Sequence, residues 1–182
     1  MRTEIRVSGI GGQGSVLAST ILAEAIGVYD GKEAIQTQEY EAAIRGGRAA
    51  GDCVVDDERI TYPWVLHPNL LVAQHHLAIA DHMNKVPAGG TVLYDTVYVE
   101  DAPPRSDVTM FGVPMTKMAD DEGLRRSGNM LMLGVLSRVT GIVTPESLRK
   151  AVEARSPGNS AEKNLSALEL GLAVDPEAFR VA

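Results

Sequence analysis

A strand that runs straight into a glycine turn and out into a helix opens this chain. Ile5-Arg6-Val7-Ser8 leads to Gly9-Ile10-Gly11-Gly12-Gln13-Gly14, and Ser15 to Ala23 continues as a helix. Four glycines in six positions remove side chains where the backbone must turn, and the first N–H groups of the helix have no partner inside it. Such a terminus favours a phosphate, a pyrophosphate or a carboxylate. Gly9, Gly11 and Gly14 also have the spacing of a dinucleotide-binding turn, which further requires an acid about 20 residues on, at the end of the second strand. The expected second strand, Glu33 to Gln38, ends on Thr37-Gln38, with Asp30 too early and Glu39 just past it. The ribose-binding acid is therefore missing, and a purely structural tight turn stays open beside the anion site.

Beyond the turn, short apolar runs alternate with helical stretches. Strands are expected through Cys53-Val54-Val55, Leu70 to Ala73, Thr91 to Asp95 and Asp107 to Gly112, with a helix over Leu77 to Met83 and another from Pro114. From Ser127 onward the pattern is wholly helical, and Thr144-Pro145-Glu146 supplies a hydroxyl cap and a proline for one helix start. Alternation of this kind marks an α/β fold whose sheet is covered on both faces. The expectation is a three-layer α/β/α Rossmann-like sandwich with a mostly parallel central sheet and a helical C-terminal part. No Pro/Ser-rich linker divides the 182 residues, so one domain over 1–182 is expected. Asn129 to Leu136 is apolar on nearly every face, as for a helix buried against the sheet or at a subunit contact.

Charge and cysteine content narrow the function. A formal charge of −7 provides no basic field for nucleic acid or an anionic membrane, and no apolar run is long enough to span one. The N terminus enters its first strand without a signal-like segment, so the expected compartment is the cytoplasm. The single cysteine, Cys53, lies in a strand-like run where it reads as a small hydrophobe, and one thiol cannot hold an iron–sulfur cluster. His75, His76, Asp81 and His82 invite a metal site, but His75 and His82 lie about 10 Å apart along a helix, so they read as surface or cap residues. Ser15 lacks a nucleophile elbow, and Met130 and Met132 read as core. Arg45 and Arg48 flank Gly46-Gly47, where two guanidinium groups could meet an anion or a partner chain.

Thr37-Gln38-Glu39-Tyr40-Glu41-Ala42-Ala43-Ile44-Arg45-Gly46-Gly47, taken with Gly9 to Gly14, resembles the gamma subunit of the 2-oxoacid:ferredoxin oxidoreductases, which include pyruvate, 2-oxoglutarate, branched-chain oxoacid and indolepyruvate enzymes. Asn129-Met130 with Leu133-Gly134, and Lys163-Asn164 with Ala167 and Gly171, continue the resemblance over nearly the whole chain. The family usually carries a Tyr-Gly-Pro turn before its Arg-Gly-Gly, and often Ser at the position of Glu39; here Tyr40-Glu41-Ala42 stands instead, and that segment could be helical. The resemblance implies a non-catalytic subunit of a complex that converts a 2-oxoacid and coenzyme A to acyl-CoA and carbon dioxide, reducing ferredoxin. Thiamine diphosphate, Mg2+ and the iron–sulfur clusters would lie on alpha, beta and ferredoxin-like delta partners, with no catalytic or metal-ligating residue on this chain. Gly11, Gly12, Gln13, Gly14, Thr37, Gln38, Tyr40, Arg45, Gly46, Gly47 and Asn129 are the candidate site residues it implies, near the active site or the coenzyme A path. An isolated chain would self-associate through an apolar face including part of Asn129 to Leu136. A stand-alone NAD- or flavin-binding oxidoreductase and a sensor of a phosphate-bearing metabolite are the alternatives.

Overall fold

The computed structural model describes residues 1–41, 46–158 and 160–181. In chain order the elements are β1 (Thr3–Ile10), α1 (Ser15–Glu24), β2 (Glu33–Tyr40), β3 (Arg48–Asp56), β4 (Leu70–Ala73), α2 (His76–His82), β5 (Thr91–Asp95), β6 (Thr109–Val113), α3 (Met115–Asp121), α4 (Gly128–Thr140), α5 (Pro145–Arg155), α6 (Ser160–Leu172) and β7 (Arg180–Val181). One seven-stranded sheet has the order β2-β3-β1-β4-β5-β6-β7. β1, β4, β5 and β6 are parallel neighbours, β3 runs against both β1 and β2, and β7 runs against β6. Five of the seven strands thus point the same way, all except β3 and β7, so the sheet is mostly parallel in direction.

Alternation along the strands feeds two cores. Leu70, Val72, Leu93, Phe111 and Val113 face the larger one, built with α1 and α3 to α6. Leu71, Ala73, Val92, Tyr94 and Met110 face the other, closed by α2 through Ala78 and Ile79 and by Met83. The three layers are therefore unequal.

Three expectations change. The chain after Ser127 is not wholly helical, because Arg180–Val181 returns as an antiparallel edge strand on Met110 and Phe111. Two residues are too short to give a strand pattern, and only pairing to β6 defines them. The second strand runs two residues past Gln38, so Thr37, Gln38, Glu39 and Tyr40 are strand residues paired with Asp52, Gly51, Ala50 and Ala49. With neither glycine nor proline to stop it, the ladder continues, and Tyr40 is not helical. Finally, every residue from Asn129 to Ser137 is buried, so α4 presents no apolar face for self-association.

What buries α4 is a close crossing with α6. A Cβ on Gly171 would lie 2.0 Å from the Leu131 carbonyl oxygen, and one on Gly134 would lie 2.5 Å from the Leu168 carbonyl oxygen. Ser127 Oγ donates to Asn164 Oδ1 (2.7 Å) near the start of the same crossing. Leu133-Gly134, Asn164, Ala167 and Gly171, which carry the later motifs, meet here as packing residues.

Candidate functional site

The ends of β1, β4, β5 and β6 enclose a cleft of about 590 Å³ lined by Gly12 and Gln13 after β1, Gln74 after β4, Asp95 at the end of β5 and Tyr98 beyond it, and Thr116 at the start of α3. Arg125, Arg126 and Asn129, at the start of α4, complete it. This is the carboxyl end of an open parallel sheet, and β1 and β4 send their helices to opposite faces, which is where such sheets place ligands.

Side-chain hydrogen bonds across β1 and β4 fix the glycine turn. Gln13 Nε2 donates to the Gln74 carbonyl (2.9 Å), Gln13 Oε1 accepts from the Ile10 N–H (2.9 Å), and Ser15 Oγ donates to Gln74 Oε1 (2.7 Å). Gly14 has a left-handed φ of 77° and lies against Asn129, whose Nδ2 donates to its carbonyl at 3.4 Å. A Cβ there would sit 2.5 Å from that Nδ2. Gly12, with φ 101°, has nothing within 4 Å of where a Cβ would stand. It is the open position of the turn.

The turn offers a ligand fewer donors than its glycine content suggests. The Gly11 N–H donates to the Gly47 carbonyl (2.9 Å) and the Gln13 N–H to the Ile10 carbonyl (3.1 Å). The first of these bonds also joins the glycine turn to the loop between β2 and β3, so Gly11, Gly46 and Gly47 do come together. Arg45 lies outside the described residues. Arg48 is engaged by Asp81 and Glu41, both of which hold its guanidinium positive, so it is an ion-pair residue rather than an anion ligand.

The remaining candidates lie elsewhere. Thr37 and Gln38 line a second groove with Arg6, Asp52 and the Tyr62 to Leu66 segment, and Tyr40, 62% exposed, lines a third with Arg48, Asp81 and His82. Asp30 is no ribose ligand either, since its carboxylate accepts from the Thr144 N–H and from the Thr144 and Ser147 hydroxyls, which hold it below the ordinary carboxylate range despite partial burial. It ties the end of the first helical segment to the start of α5.

Sequence reasoning missed Gln74, Asp95 and Thr116. Asp95 is buried and accepts from the Thr116 N–H (2.9 Å), the Thr116 hydroxyl (2.6 Å) and the Val97 N–H (3.0 Å). Because the Thr116 hydroxyl donates to Asp95, it can only accept from anything in the cleft. The single usable signal was position, a polar residue at or directly after the end of an apolar strand, which fits Gln74 and Asp95 but not Thr116 in the first turn of α3.

His75 caps α2 as expected, its Nδ1 accepting from the Leu77 N–H at 3.4 Å. His82 is neither surface nor cap. It is buried with its Nδ1 3.3 Å from Arg6 Nη1, and burial together with that guanidinium pushes its pKa down to about 4. Among the described residues no group of His, Cys, Asp or Glu could hold a metal ion, and no helix is long and apolar enough to cross a membrane. Cys53 is buried, and burial raises its thiol to about 12.

A family model described as pyruvate ferredoxin/flavodoxin oxidoreductase matches residues 4–174. The 2-oxoglutarate synthase subunit KorC of Methanocaldococcus jannaschii is 43% identical over 179 residues, covering 97% of this chain and 96% of that protein. The crystal structure of a keto/oxoacid ferredoxin oxidoreductase gamma subunit from Geobacter sulfurreducens superposes with a TM-score of 0.87 at 31% identity, covering 100% of this chain and 99% of the other. A 2-oxoglutarate:ferredoxin oxidoreductase from Magnetococcus marinus, solved with 2-oxoglutarate, coenzyme A and succinyl-CoA bound, superposes at 0.83 and 25% identity over 100% of this chain but 33% of its own.

Proposed function

Because the chain belongs to the pyruvate ferredoxin/flavodoxin oxidoreductase family, we propose that it is the gamma subunit of a multisubunit 2-oxoacid:ferredoxin oxidoreductase, and that its glycine cleft receives part of coenzyme A. The observation that carries the assignment is the end-to-end match to KorC, which leaves little of either chain unmatched. The whole complex converts a 2-oxoacid to acyl-CoA and carbon dioxide and passes electrons to ferredoxin. With one buried cysteine this chain does not supply the ligands of an iron–sulfur cluster, and the gamma-subunit reading assigns the clusters, and with them thiamine diphosphate, to alpha, beta and delta partners.

The cleft suits the phosphorylated end of coenzyme A, whose reaction role is to accept the acyl group at its thiol. Gly12 lets a ligand approach the backbone, and Arg125 and Arg126 bring positive charge to the rim. Gly11, Gly46 and Gly47 tie the two loops together, Gln13, Gly14 and Asn129 hold the turn in shape, and Arg45 is assigned an anionic group of coenzyme A or a carboxylate of a partner. Thr37, Gln38 and Tyr40 serve contacts with partner subunits.

Turnover of the reconstituted complex against coenzyme A concentration tests this. Arg45→Ala should raise KM for coenzyme A roughly tenfold or more, as expected for a lost charge-assisted hydrogen bond, and Arg45→Lys should not restore it. Gly12→Ala should do likewise, while the stability of the subunit falls only by the backbone cost of an alanine at positive φ, about 1–2 kcal/mol. Variant complexes that assemble and turn over like wild type would refute the site.

A further inference from the structure

On the α2 face of the sheet, Arg6, Asp52 and Thr37 stand side by side across β1, β3 and β2, and a groove of about 450 Å³ runs between them and the Tyr62 to Leu66 segment. That segment is held by its backbone. Arg2 donates to the Tyr62 and Trp64 carbonyls (2.8 and 3.1 Å), Glu4 Oε2 accepts from the Leu66 and His67 N–H groups (2.8 and 3.0 Å), and Val65 packs with Ile60 on Val54. With the backbone fixed, the side chains left outside are apolar: Tyr62, Trp64 and Leu66 are 47%, 53% and 55% exposed, and Trp64 is the one tryptophan in the sequence. Rigid aromatic prominences of this kind are what binding energy concentrates on at interfaces.

The groove is also charged in one sense. Arg6 and Asp52 form a two-pronged pair (2.7 and 2.6 Å), and Glu39, its side chain 71% exposed, shares the same Arg6 at 3.4 Å, so that two carboxylates face one guanidinium and the described lining carries a net negative charge. Thr37 Oγ1 is buried in the wall without a hydrogen-bond partner among the described residues. β2, at the edge of the sheet, forms the far side. An aromatic wall opposite a carboxylate is a seat for a guanidinium or an ammonium group.

We propose that this groove is where a partner subunit of the same complex docks, inserting an arginine or lysine between the Tyr62–Trp64 wall and Glu39; the proposal rests on the gamma-subunit reading. A partner subunit is the occupant because the Magnetococcus chain that superposes on this one is about three times as long, whereas KorC is matched over 96% of its length, so the gamma-subunit reading places on separate chains what that enzyme carries on one. Charge selects the inserted group. Thr37 and Gln38, which the glycine cleft does not use, line this groove.

The test measures binding of the purified chain to the purified remaining subunits at several salt concentrations, with melting of the isolated chain alongside. Trp64→Ala should weaken association roughly tenfold or more, and Glu39→Gln should weaken it and flatten its salt dependence. Both isolated variants should melt within about 2 °C of wild type, as exposed substitutions do. Val28→Ala, at an apolar residue 68% exposed outside the groove, should bind unchanged. Trp64 and Glu39 variants that bind the other subunits like wild type would overturn the assignment, and so would variants that abolish only self-association of the isolated chain. A wild-type chain that ignores the other subunits would overturn the gamma-subunit reading, and the groove with it.

Discussion

His82 shows how a single buried ring links stability to acidity. Unfolded, it takes a proton near its ordinary pKa of about 6.5, whereas in the fold burial and Arg6 hold protonation off until about pH 4. Between those values only the unfolded chain binds the proton, so its contribution is complete above pH 6.5 and is lost as pH falls towards 4, by up to roughly 3 kcal/mol. Urea melts across that window should show the loss, and His82→Gln, which keeps an acceptor for Arg6, should remove most of the slope. The position of His82 was not legible in the sequence, because its partner Arg6 lies 76 residues away, on β1 rather than on α2. Gln74 escaped notice for the same reason. The glycine turn and Asn129, by contrast, were readable as site candidates, since the turn's chemistry lies within six consecutive residues and Asn129 stands in a recognisable motif.

Among elements, the crossing of α4 and α6 sets the tightest constraint. Gly171→Ala would drive a methyl group onto the Leu131 carbonyl and against Gly134, backbone on both sides, so neither neighbour can rotate away. The expected cost is about 2–3 kcal/mol, a fall of roughly 5–10 °C in melting temperature by calorimetry. That α4 would be buried was readable from its apolar faces, but what buries it was not, because helix-on-helix contact depends on where Gly134 and Gly171 meet. β2 illustrates the opposite case: its sequence ends in polar residues, and only the register with β3 extends it to Tyr40.

At the scale of the molecule, the purified chain alone should show no 2-oxoacid-dependent reduction of a ferredoxin or viologen acceptor, and addition of the other subunits should restore it. Activity in the isolated chain would contradict a subunit with one inert, buried cysteine. The layered α/β architecture was legible from alternating strands and helices, whereas the antiparallel intrusion of β3 was not, since a hairpin partner and a parallel neighbour present the same apolar run. That intrusion also orders events during synthesis. β1 leaves the ribosome before either of its neighbours in the sheet, β3 and β4, which end at Asp56 and Ala73. The nascent chain therefore carries an apolar strand that is unpaired until β3 has emerged and open on one edge until β4 follows, which makes this stretch of translation an interval of exposure to aggregation and chaperone capture.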